Sequence, residues 1–317
     1  MVDMKPHTVA AAAHPATTSP LTCVLRRAKY YVLINAFICG VAFASYQFVS
    51  HFQRTINSTS NNVSLCMAVY GAGVMRIAAM VMWFDWIASM KGKILGDKRT
   101  QLTAAQRRSI YLRILWLVVP TECVSFWIAQ SSAAPTTSAL VSSPVVDLRS
   151  FLLEFAAFIP KSLVFEVVFD FFHFAAHWLC HQSTWLYQHV HKRHHTHLHP
   201  CPLSTYEQDG IDLCLTNMLP FFLATYLGFP LTRFQLHLIF AYKTYVEVAG
   251  HCGLEIKGFS FPQFPWVNIL AICLRVHDHD LHHTHPKFNF AKRFALWDKL
   301  FGTFRPGRPL QEETAKL

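Results

Sequence analysis

Long apolar runs separated by short polar stretches fill the first half of the chain. Tyr30 to Val49 is twenty residues without a charged side chain, long enough to cross a bilayer as a helix. Leu65 to Ala88 is a second run, interrupted by Arg76 and Asp85. Tyr111 to Gln130 is a third, with Arg113 near one end and Pro120 and Glu122 inside. Charges within such spans face the interior of a helical bundle. Leu148 to His181 reads as one long helical stretch, with Pro160 the place where it could break. At about 1.5 Å per residue it reaches roughly 50 Å. A bilayer core takes about 30 Å, so the last four or five turns project beyond it. Ile211 to Gly228 and Arg233 to Gly250 flank Phe229-Pro230 and read as a hairpin that enters the membrane and returns. Trp266 to Leu274 is too short to span and reads as interfacial.

Composition agrees with this pattern. Of 317 residues, 52% are hydrophobic and 15% charged, and the mean hydropathy is +0.26. A net charge of +10 would suit nucleic acid, but its distribution is that of a membrane protein. Arg26, Arg27 and Lys29 precede the first run. Lys91, Lys93, Lys98, Arg99, Arg107 and Arg108 follow the second. The stretches Ser50–Ser64 and Ser131–Val146 hold Arg54 and no basic residue, respectively. By the positive-inside rule the N-terminus and second loop are cytosolic, and the first and third loops luminal. Two glycosylation triplets, at Asn57 and Asn62, fall in the predicted luminal loop. Residues 1–27 read as a disordered tail without a secretory pattern. Nine scattered cysteines, with no C-x-x-C pair, fit reduced thiols better than a disulfide framework.

The candidate chemistry is histidine. Fourteen of the nineteen histidines lie in two windows, His173–His199 and His277–His285. His177 and His181 are four apart, so a helix puts them on one face. His191, His194 and His195 are related by three and four, and so are His279, His282 and His283. Eight imidazoles facing one centre cannot all carry protons without strong repulsion. Neutral imidazole is the commonest metal ligand. Eight exceed one tetrahedral zinc and suit two ions with open positions; iron, zinc, copper and nickel all accept imidazole. Acids nearby, Glu166 and Asp170 on the first stripe, Glu247, and Asp280 within the third box, are candidates for holding imidazole N–H groups.

These boxes, in order, resemble the fatty acid hydroxylase/sterol desaturase superfamily of membrane di-iron enzymes. The matching elements are Asp170…His177-x-x-x-His181, His191-Lys-Arg-His194-His195 and His279-Asp-Leu-His282-His283. The closing run Asn289-Phe…Trp297-Asp-Lys-Leu-Phe-Gly-Thr is also similar. The likeness covers Leu163 to Arg305. Glu247-x-x-x-His251-Cys-Gly resembles the segment where sterol-type members place a further histidine, which adds His251 to the ligand set. His173 stands where an aromatic residue is more usual, and Asp278 where sterol oxidases often have another histidine.

The resemblance implies two iron ions and O2 acting on a lipid C–H bond, by hydroxylation, desaturation or methyl oxidation. It implies electrons from NAD(P)H through external cytochrome b5 or its reductase. The chain has no haem-binding His-Pro-Gly-Gly and no dinucleotide fingerprint of its own. The closing run looks most like sterol hydroxylases and C-4 methyl oxidases, so a sterol substrate in the endoplasmic reticulum is expected. Phe151, Phe155, Phe158, Phe165, Phe169, Phe221 and Phe222 are candidates to line a flat pocket for it. A fatty acyl or sphingolipid hydroxylase is the alternative within the superfamily. A histidine-rich metal transporter is the alternative outside it, but that would place ligands near the bilayer midplane. The expected architecture is an all-α, polytopic membrane bundle of about four spans plus a membrane hairpin. A cytosolic helical cap would hold the di-metal site. By residue this gives a tail 1–27, a transmembrane region 28–146, a histidine-box domain 147–306 and a C-terminal tail 307–317.

Overall fold

A bilayer core offers no partner for a backbone N–H or C=O, so each apolar run must close its hydrogen bonds as a helix. The computed structural model describes residues 20–56, 62–91, 100–131, 133, 148–254, 256, 260–264, 267, 270 and 272–307. Most of the expected N-terminal tail, the triplet at Asn57, most of the basic second loop, the third loop and the C-terminal tail beyond 307 lie outside them. Among the described residues the fold is all helix, with one extended bridge between Cys273 and Phe294.

Helices α1 (Pro20–Ile56), α2 (Asn62–Lys91) and α3 (Ala104–Ser131) carry the first three apolar runs. Thr103 begins α3 with a capping box, its Oγ1 accepting from the Gln106 N–H at 3.3 Å while Gln106 Oε1 accepts from the Thr103 N–H at 2.8 Å. Helix α4 (Leu148–Gln182) runs unbroken through Pro160. Helices α5 (Gly210–Leu227) and α6 (Arg233–His251) follow one another, with Phe221 of the first against Phe240 of the second. Helices α7 (Val276–Thr284) and α8 (Leu296–Leu300) follow.

Among the described residues, four segments are long and apolar enough to cross a membrane: Ala28–Arg54, Val63–Ser89, Ala104–Ser131 and Gly210–Leu227. The start of α4, expected as the fourth span, is not one of the four, and α5, expected as one limb of a hairpin, is. Glu154, Lys161, Glu166 and Asp170 recur too closely along α4. These acids are buried against protein; Thr232 Oγ1, for instance, donates to Glu154 Oε2 at 3.0 Å. Helix α4 packs along α5, and α1 packs against both α2 and α6.

Every residue of α6 except Arg233 is buried. Its polar face carries a chain of ion pairs towards the site. Arg76 pairs with Glu122 and donates to Thr244 Oγ1 at 3.0 Å. Lys243 sits 3.4 Å from Glu122 and 2.9 Å from Glu247. Glu247 also meets Lys292 at 3.1 Å and Arg293 at 3.5 Å, and Arg293 meets Glu166 at 2.9 Å. Buried charges persist only when paired in this way.

Several of the phenylalanines expected to line a flat pocket pack against neighbouring rings. Phe165 meets Phe221 at 5.4 Å between ring centroids, Phe221 meets Phe240 at 4.9 Å, and Phe158, Phe165, Phe169 and Phe221 are buried. Apolar rings in contact lose more by separating than by filling the bundle centre.

Candidate metal centre

Helix α4 ends with His173, His177 and His181 on one stripe, each four residues after the last. A short helix, Thr184–Leu186, continues into a π turn, Tyr187–His191, and a 3-10 turn, His194–Thr196. The second box therefore does not ride one face of an α-helix, as its spacing had predicted. Pro200 and Pro202 follow it and cannot continue a helix. The third box lies on α7, and His251 closes α6.

Nine histidines converge, in two groups. His177, His181, His191, His195 and His282 form the first cluster; His194, His251, His279 and His283 form the second. Within each, one ligand atom per residue lies within 4.8 Å of the others. Neighbours in sequence part company: His194 and His195 go to different clusters, as do His282 and His283. Consecutive residues on a helix diverge by about 100°, so an adjacent pair can serve two centres a few ångströms apart.

The ring tautomers are set from outside. His177 Nδ1 donates to the Phe290 carbonyl at 2.7 Å and His282 Nδ1 to the Phe288 carbonyl at 2.7 Å. His191 Nδ1 donates to Asp212 Oδ1 at 2.9 Å. Each of these three rings then turns an Nε2 lone pair inward, and His282 Nε2 has no hydrogen-bond partner. The Nε2 atoms of His181 and His177 are 3.3 Å apart, and His195 Nε2 lies 3.2 Å from those of His181 and His191. In the second cluster His279 Nε2 and His251 Nε2 are 3.1 Å apart. Nitrogens bound to one metal at about 2.1 Å lie about 3.0 Å apart at a right angle and about 3.4 Å apart at a tetrahedral angle. The two groups could each hold a metal ion on this geometry.

Burial, reinforced by neighbouring imidazoles, holds the pKa values of His194, His195, His279 and His283 well below the usual histidine range. Burial brings His282 down to about 3. These rings are neutral near pH 7, the form a metal needs.

The acids expected to hold imidazoles act otherwise. Asp170 Oδ1 accepts from the backbone N–H groups of Lys292 and Arg293 at 2.8 and 2.7 Å, and its Oδ2 from Phe294 at 3.0 Å. A buried carboxylate with three such donors has no need of an imidazole. Asp280 pairs with His199, outside both clusters, at 3.0 Å. Glu247 supplies its backbone carbonyl to His251 Nδ1 at 2.8 Å, while its carboxylate is occupied by cations. His173 also lies outside the clusters; its Nδ1 donates to the Thr216 carbonyl at 2.6 Å. Asp212, the carboxylate that holds a ring of the clusters, is absent from the expected set. Its one signal was an isolated acid at the start of an otherwise apolar run.

The family model for fatty acid hydroxylases matches residues 162–303, which takes in every histidine of both clusters. A cholesterol 25-hydroxylase-like protein of Danio rerio is 31% identical over 238 residues, covering 71% of this chain and 76% of that protein. The chain belongs to the fatty acid hydroxylase family. Other family members agree over shorter stretches. A fatty acid hydroxylase of Lecanicillium sp is 32% identical, over 44% of this chain and 40% of its own length. Sphinganine C4-monooxygenase 1 of Arabidopsis thaliana is 27% identical, over 44% of this chain and 52% of its own. The chain thus spans about half the length of these last two relatives. No solved structure matches.

Proposed function

We propose that this protein is a membrane-bound, di-iron, O2-dependent hydroxylase of a lipid C–H bond, with a sterol as the preferred substrate class. The observation that carries the reading is the convergence of nine imidazoles into groups of five and four. An all-nitrogen set of this size, neutral when it binds metal, leaves the charge of two ferrous ions intact and suits iron, whereas structural zinc takes four ligands and closes its site. Iron bound there would supply oxygen activation. The balance is one C–H bond, O2, two electrons and two protons giving an alcohol and water.

The chain's own residues hold and shield that chemistry. Asp212 and the carbonyls of Phe288, Phe290 and Glu247 fix four rings, so each ligand nitrogen is aimed before metal arrives. Burial of the second cluster excludes water. The reaction calls for no side-chain nucleophile, because its reactive group is the metal pair. Electrons come from outside, through cytochrome b5 and its reductase, and the clusters face the cytosol with the N-terminus. Support for a sterol is the zebrafish relative, named for cholesterol and aligned over 71% of the chain, against 44% for the sphinganine enzyme.

The test supplies NADPH, cytochrome b5, its reductase and O2 to membranes containing the protein, and follows sterols and acyl lipids by mass spectrometry. Gain of one oxygen on a sterol is expected. Oxygen gained only on acyl or sphingoid chains would replace the substrate class and leave the hydroxylase standing. Metal uptake without O2 consumption on any lipid would favour a transporter. Tags at residues 1 and 317 should both be open to protease in sealed microsomes; protection of either overturns the cytosolic placement.

A further inference from the structure

Five consecutive backbone N–H groups, those of Phe290 to Phe294, are all taken by two buried carboxylates. Asp298 Oδ1 accepts from Phe290 and its Oδ2 from Ala291, both at 2.8 Å. Asp170 accepts from Lys292, Arg293 and Phe294 at 2.7–3.0 Å. Just before them Asn289 sits at φ 58°, a left-handed conformation that asparagine tolerates better than most residues. Its Nδ2 donates to the carbonyls of Asp278 and Arg305 at 2.8 and 2.7 Å, and its Oδ1 accepts from the Arg305 N–H at 2.8 Å. Asp170, Asn289 and Asp298 are each fully buried.

With its N–H groups tied on one side, this strap presents carbonyls on the other. The Phe288 and Phe290 carbonyls, one on each side of Asn289, accept the Nδ1 protons of His282 and His177. Those two rings come from different helices, α7 and α4, and both belong to the first cluster. No ring of the second cluster is held by the strap among the described hydrogen bonds.

We propose that Asp170, Asn289 and Asp298 are positioning residues for the first metal, acting through the strap Phe288–Phe294 on the tautomer and aim of His177 and His282. The inference rests on the two-metal reading of the clusters. It gives three side chains that touch no ligand a selective effect on one of two sites. Mere stabilisation of the fold would weaken both sites alike.

The experiment uses full-length protein in detergent, loaded anaerobically with Fe2+ and titrated with a chelator. Wild-type protein should hold two irons per chain. A His194→Ala background leaves the first cluster to be read alone, and a His195→Ala background leaves the second. In the first background Asp298→Asn, which turns an amide N–H towards a backbone N–H, should weaken iron binding tenfold or more, the range for outer partners of metal ligands. In the second background it should change binding by less than twofold. Asn289→Gly keeps the backbone conformation and deletes three hydrogen bonds, and should repeat the pattern if Asp170→Asn or Asp298→Asn fails to accumulate. Equal weakening of both clusters, or none in the first, overturns the proposal. A wild-type chain that never holds two irons overturns the two-metal reading, and this inference with it.

Discussion

The two histidine clusters sit side by side but are built differently. The first has five rings, two of them, His181 and His195, only partly buried, and three of its Nδ1 atoms are held by named acceptors. The second has four rings, all buried, with the backbone of Glu247 holding His251 and that of His197 beside His283. The first site has a side-chain acceptor among its partners and is open on a side; the second is closed on all four rings. Hydrogen bonds to a ligand's far nitrogen let a site keep its shape while part of it faces solvent or substrate.

The largest expected effect divides two neighbours in sequence. His195→Ala should empty the first cluster and His194→Ala the second, each lowering turnover at least 100-fold, beyond the range for outer partners. Iron per chain should fall from two towards one in each. Both variants losing the same iron, or either retaining full turnover, would break the division into two sites.

Next comes the ion-pair chain beneath both clusters. Lys243→Met leaves Glu122 and Glu247 with one fewer cation each, and breaking one partner of a buried pair costs about 3–5 kcal/mol. Thermal unfolding in detergent should show that loss, with iron stoichiometry unchanged in the protein that remains folded. Selective loss of the second iron would instead tie α6, through His251, to one site. Asp212→Asn should act on the first cluster alone, weakening its iron by about 10–100-fold, as measured by chelator titration. An equal effect on the second cluster would deny Asp212 its selectivity.

The spacing of the boxes made the gathered histidines legible, because i, i+3 and i+4 patterns survive into structure wherever a helix forms, as on α4 and α7. The partition between clusters was not legible. It depends on the π and 3-10 turns at Tyr187–His191 and His194–Thr196, which periodicity at 3.6 residues does not register. Hydropathy marks the first three spans, but the several charges along α4, against the lone Asp212 in α5, exchange which further segment counts. The partners of the rings were the least legible. Asp212 lies 21 positions from His191, and Phe290 lies 113 from His177. Asp170 was singled out for the right stripe and the wrong partner, since a carboxylate that accepts backbone N–H groups looks the same in sequence as one that holds a ring.

The smallest expected effect concerns His173, which shares the α4 stripe with His177 and His181 yet joins neither cluster. Its ring lies parallel to that of Phe169, 6.2 Å away, and 5.3 Å from His177, and its Nδ1 is spent on the Thr216 carbonyl. That carbonyl belongs to the π turn Cys214–Met218 in α5, which begins two residues after Asp212. The hydrogen bond therefore steadies the element that carries a ring's partner. His173→Phe would keep the stacking and lose one buried hydrogen bond, worth about 1 kcal/mol net. The expected result is two irons per chain and turnover within a few-fold of wild type. The small loss should fall on the first cluster, seen as modestly faster iron release there. Loss of a whole iron would make His173 a tenth ligand and redraw the first cluster. An unchanged release rate would show that Asp212 is held well enough without it.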